Sequence, residues 1–172
     1  MQGIEGRVAV VTGAGSGIGR ASARALAAAG ASIVAGNRDR AAGESLVAEI
    51  TAQGGVCTFI PTDVTKTGDI ARLMDEAVSR HGRLDILFNN AGTILRTPAA
   101  QHPDEYWDKI IEINLNSQFI LAREIGKGML ERHSGKIVFT ASLLTFQGGI
   151  TVPGYAASKA GIGSLIKALA NE

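Results

Sequence analysis

The 172 residues suffice for one domain with a substantial core. Seventeen Lys and Arg against sixteen Asp and Glu leave a formal charge of +1, with no basic stripe, so no nucleic-acid partner is expected. A single cysteine, Cys57, excludes an intramolecular disulfide scaffold; the three histidines lack metal-ligand spacing, and no metal is expected. No run approaches the ~20 apolar residues of a membrane span and no signal core opens the chain, so a cytoplasmic protein without a membrane partner is expected.

Short β-branched runs alternate with amphipathic helical stretches, the pattern of a parallel sheet with helices on both faces. Residues 7–12 read as the first strand and 19–29 as an alanine-rich helix stopped by Gly30. A strand over 32–35, a helix over about 40–53 and a strand over 56–61 follow. Thr67 or Asp69 is expected to cap a helix that runs to His81 and stops at Gly82. Residues 84–88 form a fourth strand, about 103–131 a long helix, 136–141 a fifth strand, and about 155 to the end a final helix. The fold class is therefore α/β, a doubly wound Rossmann-type parallel sheet, in one domain spanning 1–172. Five strands stand where such a sheet has six, and the sequence reads as incomplete at its C-terminus.

Thr12-Gly13-Ala14-Gly15-Ser16-Gly17-Ile18-Gly19 lies at the first strand-to-helix junction. Glycines there permit positive φ and let the backbone approach a pyrophosphate, and the following helix offers unpaired N–H groups. The second strand closes on Asn37, followed by Arg38. A neutral residue followed by a guanidinium suits a 2′-phosphate and points to NADP over NAD; the other reading is a solvated loop arginine paired with Asp39.

Tyr155 and Lys159 lie four apart at the start of the last helix and share a face. A phenol is a poor acid–base catalyst at neutral pH, and a nearby ammonium together with a positive nicotinamide would favour its phenolate. Ser142, at the carboxyl end of the fifth strand, is placed to hold a substrate oxygen. Asn114, inside the long helix, is either an exposed polar position or the anchor of a water that relays protons to Lys159.

With Asp63 after the third strand and Asn89-Asn90-Ala91-Gly92 after the fourth, these motifs resemble those of the short-chain dehydrogenase/reductases, along essentially the whole chain. The resemblance implies an NAD(P)-dependent oxidoreductase with a catalytic tetrad of Asn114, Ser142, Tyr155 and Lys159. It implies adenine contacts from Asp63 and Val64, and cofactor contacts from Asn90, Ala91, Gly92, Tyr155 and Lys159. It also implies a homotetramer built through the two long helices. Within the family, residues 142–149 and 152–155 are most similar to dehydrogenases of gluconate and deoxy-gluconate. On that reading Arg96 would clamp a substrate carboxylate and Gln147 would bind hydroxyls, unless both are loop residues facing solvent. The alternatives are a 3-oxoacyl-thioester reductase using the same tetrad, or a non-catalytic fragment of a dehydrogenase.

Overall fold

The computed structural model describes residues 3–172. Five parallel strands, β1 (Val8–Thr12), β2 (Ser32–Asn37), β3 (Val56–Pro61), β4 (Ile86–Asn89) and β5 (Lys136–Phe139), form one sheet in the order β3-β2-β1-β4-β5. The helices are α1 (Gly17–Ala28), α2 (Arg40–Ala52), α3 (Thr67–His81), α4 (Asp104–Ile111), α5 (Ser117–Glu131) and α6 (Pro153–Leu169). This is the Rossmann-like parallel sheet flanked by helices that the alternation predicts, and the order reverses next to β1.

The chain divides into two compact units. The first runs through Ala91 and includes Leu121–Val138; it contains β1 to β4 and α1 to α3. In it, Ala9, Val11, Ile33 and Ala35 form a buried cluster with Ala23 and Ala27 of α1 and Leu46 and Ile50 of α2. Period-2 alternation sends the even-numbered residues to the opposite face, where a Cβ on Gly36 would stand 3.2 Å from Leu73 of α3. Small alanines on α1 let that helix lie close against the strands, and burial of the aliphatic side chains supplies about 25 cal/mol per Å² of apolar surface. The second unit comprises Gly92–Ile120 and Phe139–Glu172, with α4, α6 and a π-helical turn over Glu112–Asn116.

Several boundaries differ from the expected ones. Neither Thr67 nor Asp69 caps α3: Lys66 occupies the N-cap without a side-chain bond, and the Asp69 carboxylate accepts from the Asp63 amide at 2.9 Å. The fifth strand ends at Phe139, because Ser142 caps a 3₁₀ turn over Leu143–Thr145. Pro153, favoured at the first helical position, starts α6 two residues ahead of Tyr155, and the helix closes at Leu169. Cys57 is half-buried, packed against the first-unit core, and burial pushes its thiol up to about 11, which keeps it protonated and unreactive.

Asp85 anchors the start of β4. Its carboxylate accepts from the Val8 amide at 3.0 Å, from Arg7 at 3.3 Å and from Arg83. Burial works to raise this carboxyl, but the Val8 and Arg83 bonds and the two guanidinium charges together bring it below the usual range. Asp85→Ala should destabilise the protein by about 2 kcal/mol, chiefly because the buried Val8 amide loses its acceptor while both half-exposed guanidinia reach water. A lowered native pKa means that the carboxylate's contribution is complete above about pH 4 and is lost as pH falls through the native value. Urea melts at a series of pH values should show that loss in the native chain and a flatter acid limb in Asp85→Ala.

Candidate active site

In the first unit, the turn after β1 carries the glycine loop. Gly13 holds φ +65°, and its amide donates to the Gly36 carbonyl at 2.8 Å. A Cβ on Gly19 would fall inside contact distance of the Gly13 carbonyl oxygen and 2.6 Å from Asn90 Nδ2, so only glycine allows the loop to fold over α1. Thr12 and Asn90 latch the ends of β1 and β4: Thr12 Oγ1 accepts from the Asn90 and Ala91 amides at 3.0 and 3.1 Å, and Asn90 Nδ2 donates to the Thr12 carbonyl at 3.1 Å. Ser16, the N-cap of α1, makes no side-chain cap bond, so the first turn of α1 keeps its amides for another acceptor; Ile18 beside them is exposed.

Arg20 is a residue that sequence reasoning missed. Its guanidinium reaches the Ala42 carbonyl at 3.2 Å, Ser45 at 3.1 Å and Glu49 at 2.7 Å, with a 3.5 Å contact to the Gly15 carbonyl. It ties the glycine loop to α2, a contact across more than twenty residues that no local motif announces.

Asn37 donates to the Asp39 carbonyl at 2.5 Å, while its buried Oδ1 meets no hydrogen-bond partner among the described residues. Arg38 is exposed and forms no ion pair with Asp39, whose carboxylate instead caps α2 through the Ala42 amide at 3.0 Å. The Asp63 carboxylate accepts from the Thr65 amide and hydroxyl at 3.1 and 2.8 Å. Burial tends to raise it, yet the Thr65 bonds and the Arg38 and Lys66 charges outweigh that and hold it below the ordinary value. Val64 beside it is buried.

In the second unit, α6 carries Tyr155 and Lys159 on one face. The Lys159 Nζ lies 5.7 Å from the centre of the Tyr155 ring and donates to the Thr140 carbonyl. Lys159 is 3 % exposed, and desolvation lowers its pKa. Tyr155 is partly exposed, and its hydroxyl has no protein hydrogen-bond partner among the described residues.

Asn114 sits in the π-helical turn and is fully buried, which removes the exposed-position reading. Its Oδ1 accepts from the Thr93 amide at 2.7 Å; its Nδ2 donates to the Thr93 carbonyl at 2.8 Å and to Ser158 Oγ at 3.2 Å. Ser158 Oγ in turn donates to the Tyr155 carbonyl at 2.8 Å. Asn114 and Ser158, the latter also unanticipated, thus tie the first turn of α6 to the Gly92–Thr93 segment. Ser142 Oγ accepts from the Leu144 amide at 3.2 Å, and Thr145 Oγ1 donates to the Lys159 carbonyl at 2.9 Å, so the Ser142 turn is tied to α6 as well.

Arg96 and Gln147 are exposed, and neither side chain hydrogen-bonds a residue of the tetrad. The segment of Arg96 is held where the Thr97 amide donates to the Thr151 carbonyl at 2.9 Å. Thr151 holds φ +64°, a conformation that β-branched residues rarely adopt. Among the described residues no helix is long and apolar enough to cross a membrane, and no cluster of three metal-ligating side chains occurs.

A glycine turn leading into an uncapped helix at the edge of β1, with a Tyr-x-x-x-Lys helix in the second unit, defines a dinucleotide-dependent class of α/β proteins. The chain belongs to the short chain dehydrogenase family, whose model matches residues 7–172. It is 54 % identical over 170 residues to 2-dehydro-3-deoxy-D-gluconate 5-dehydrogenase of Pseudoalteromonas atlantica, covering 98 % of this chain and 67 % of the relative. It is 39 % identical over 170 residues to the Escherichia coli enzyme of the same name, covering 98 % and 66 %. A crystal structure of a provisionally assigned NAD(P)-dependent gluconate 5-dehydrogenase from Beutenbergia cavernae, with NADP bound at low occupancy, matches with a TM-score of 0.91. Its sequence is 42 % identical, and the match covers 97 % of this chain and 66 % of that one. The chain therefore spans about two thirds of the length of these relatives.

Proposed function

We propose that this protein, its two units acting as one catalytic domain, is an NADP-dependent oxidoreductase that interconverts a carbonyl and a secondary alcohol on a sugar acid of the deoxy-gluconate type. The observation that carries this reading is the Tyr155–Lys159 pair, a partly exposed phenol with a buried ammonium 5.7 Å from its ring. The names of the gluconate-type relatives support the substrate class.

The dinucleotide would be held on Thr12–Gly19, Asn37, Arg38, Asp63, Val64, Asn90, Ala91 and Gly92. The cradle that a Cβ on Gly19 would fill, the uncapped start of α1 and the unpartnered Asn37 Oδ1 fit such a ligand. When bound, it supplies the hydride donor or acceptor. Tyr155 Oη exchanges the proton with the substrate oxygen, Ser142 Oγ orients that oxygen, and the Lys159 charge favours the phenolate. Asn114 fixes α6 through Ser158, and both Nδ2 hydrogens are engaged there and on Thr93; anchoring a water that relays protons to Lys159 would fall to an acceptor oxygen of the same residue. Arg96 and Gln147 are free to meet a carboxylate and hydroxyls. A cytoplasmic setting and self-association through α4 and α5, which leave Trp107 and Leu130 exposed, complete the reading.

A 3-oxoacyl-thioester reductase is the second reading, favoured by the exposed Leu143, Phe146 and Ile150 beyond Ser142, which would suit an acyl chain better than a polyol. Turnover of 2-dehydro-3-deoxy-gluconate against an acetoacetyl thioester separates the two. In nicotinamide-fluorescence titrations, Arg38→Ala should weaken NADPH about tenfold and leave NADH unchanged, since a guanidinium contributes mainly through the 2′-phosphate. Equal losses for both dinucleotides would remove the NADP preference.

A further inference from the structure

Thr145 ends the 3₁₀ turn that follows Ser142, and its hydroxyl makes two bonds of opposite sense. Oγ1 accepts from the Ser142 amide at 3.3 Å and donates to the Lys159 carbonyl at 2.9 Å. The first bond is local: it completes a capping box with Ser142 Oγ, which accepts from the Leu144 amide at 3.2 Å. The second reaches 14 residues along the chain, to the helix that carries Tyr155. Lys159 answers from its other end, where Nζ donates to the Thr140 carbonyl, two residues before Ser142. One residue of α6 therefore holds the Ser142 segment on both sides, through its side chain before Ser142 and its main chain after it.

The surface of α6 has room for this contact. A regular helix brings the amide of residue 163 to the carbonyl of residue 159, so a hydroxyl that reaches this carbonyl lies over position 163. Position 163 is a half-buried glycine, and a Cβ built there would overlap the Thr145 methyl. Glycine inside a helix is unfavourable relative to alanine, yet here it leaves the space that the methyl takes. Ser142 Oγ, engaged as an acceptor, keeps its own hydrogen to donate to a substrate oxygen, and where the turn is held decides where that hydrogen points.

We infer that Thr145 is a positioning residue for the proton-transfer step: its hydroxyl bridges the Ser142 amide and the Lys159 carbonyl and holds Ser142 in register with Tyr155 and Lys159. The consequence for turnover rests on the oxidoreductase reading; the bridge itself does not.

Thr145→Val retains the methyl and lacks the hydroxyl, whereas Thr145→Ser retains the hydroxyl and lacks the methyl. In the full chain, Thr145→Val should lower kcat about tenfold with KM nearly unchanged, and Thr145→Ser should keep most of the native kcat. Gly163→Ala should reach Ser142 through the bridge. Its Cβ displaces Thr145, so kcat should fall as in Thr145→Val, and exchange of the Ser142 amide, followed by NMR, should quicken about tenfold. Thr145→Ser combined with Gly163→Ala removes the clashing methyl and should recover both. Equal kcat in Thr145→Val and Thr145→Ser would overturn the inference. So would an unchanged Ser142 amide in Gly163→Ala, which would show that the turn holds itself. Absence of turnover in the native chain on both the sugar acid and the acetoacetyl thioester would instead overturn the oxidoreductase reading, and the exchange measurements would still decide whether the bridge holds Ser142.

Discussion

Gly19→Ala should abolish measurable dinucleotide binding, with affinity for NADPH falling at least about a hundredfold, and should lower the melting temperature. The added Cβ would overlap the Gly13 carbonyl oxygen and lie 2.8 Å from the carbonyl carbon. These are backbone atoms, so no side-chain rotation relieves the overlap. The loop must lift from α1, and with it the peptide groups that would face a pyrophosphate. Asn90, 2.6 Å from the same Cβ, would be pushed off the Thr12 carbonyl and loosen the β1–β4 latch. Gly17→Ala makes the useful contrast. That residue has φ +51° but nothing within 4 Å of a Cβ, so its cost is backbone strain of about 1 kcal/mol. Titration of both variants with NADPH, beside circular dichroism, tests this. Equal affinities for the two variants would mean that the loop does not hold the dinucleotide through its backbone.

Tyr155→Phe should lower kcat about a thousandfold, within the range that a positioned proton donor contributes, and leave NADPH affinity and stability nearly unchanged. The stability half follows from the structure: the hydroxyl has no protein partner among the described residues, while the ring that faces Lys159 is retained. Steady-state kinetics and thermal melts on the same preparations would check both halves. Retained turnover would remove Tyr155 from the chemistry, and a large drop in melting temperature would assign it to the fold instead.

The parts of the fold written in local chemistry were legible from sequence. Strands β1 to β3 follow from β-branched runs, and the glycine loop from spacing at one junction, because turn conformation and periodicity are local properties. The caps were less accessible: Thr67 and Asp69 have the right chemistry for an N-cap, but the Asp63 amide competes for the Asp69 carboxylate. Asn114 is similar. As an isolated asparagine inside a helix it reads as an exposed position, whereas the wide turn at Glu112–Asn116 brings its amide onto the Thr93 backbone, 21 residues away. Arg20, Asp85 and Ser158 were not singled out, since each acts through partners distant in sequence and carries no motif of its own. Arg96 and Gln147 stand exposed, so packing assigns neither of them a role.

Thr151 records a preference in the design of the second unit. A threonine at φ +64° costs on the order of 1 kcal/mol relative to glycine or asparagine, yet its carbonyl is thereby turned to the Thr97 amide one residue before the start of α6 is set by Val152. A glycine would relieve the strain but let the peptide swing. The molecule gives up a fraction of its thermal margin to keep the approach to α6 stiff, so engineering for heat tolerance and engineering for turnover would pull this one position in opposite directions.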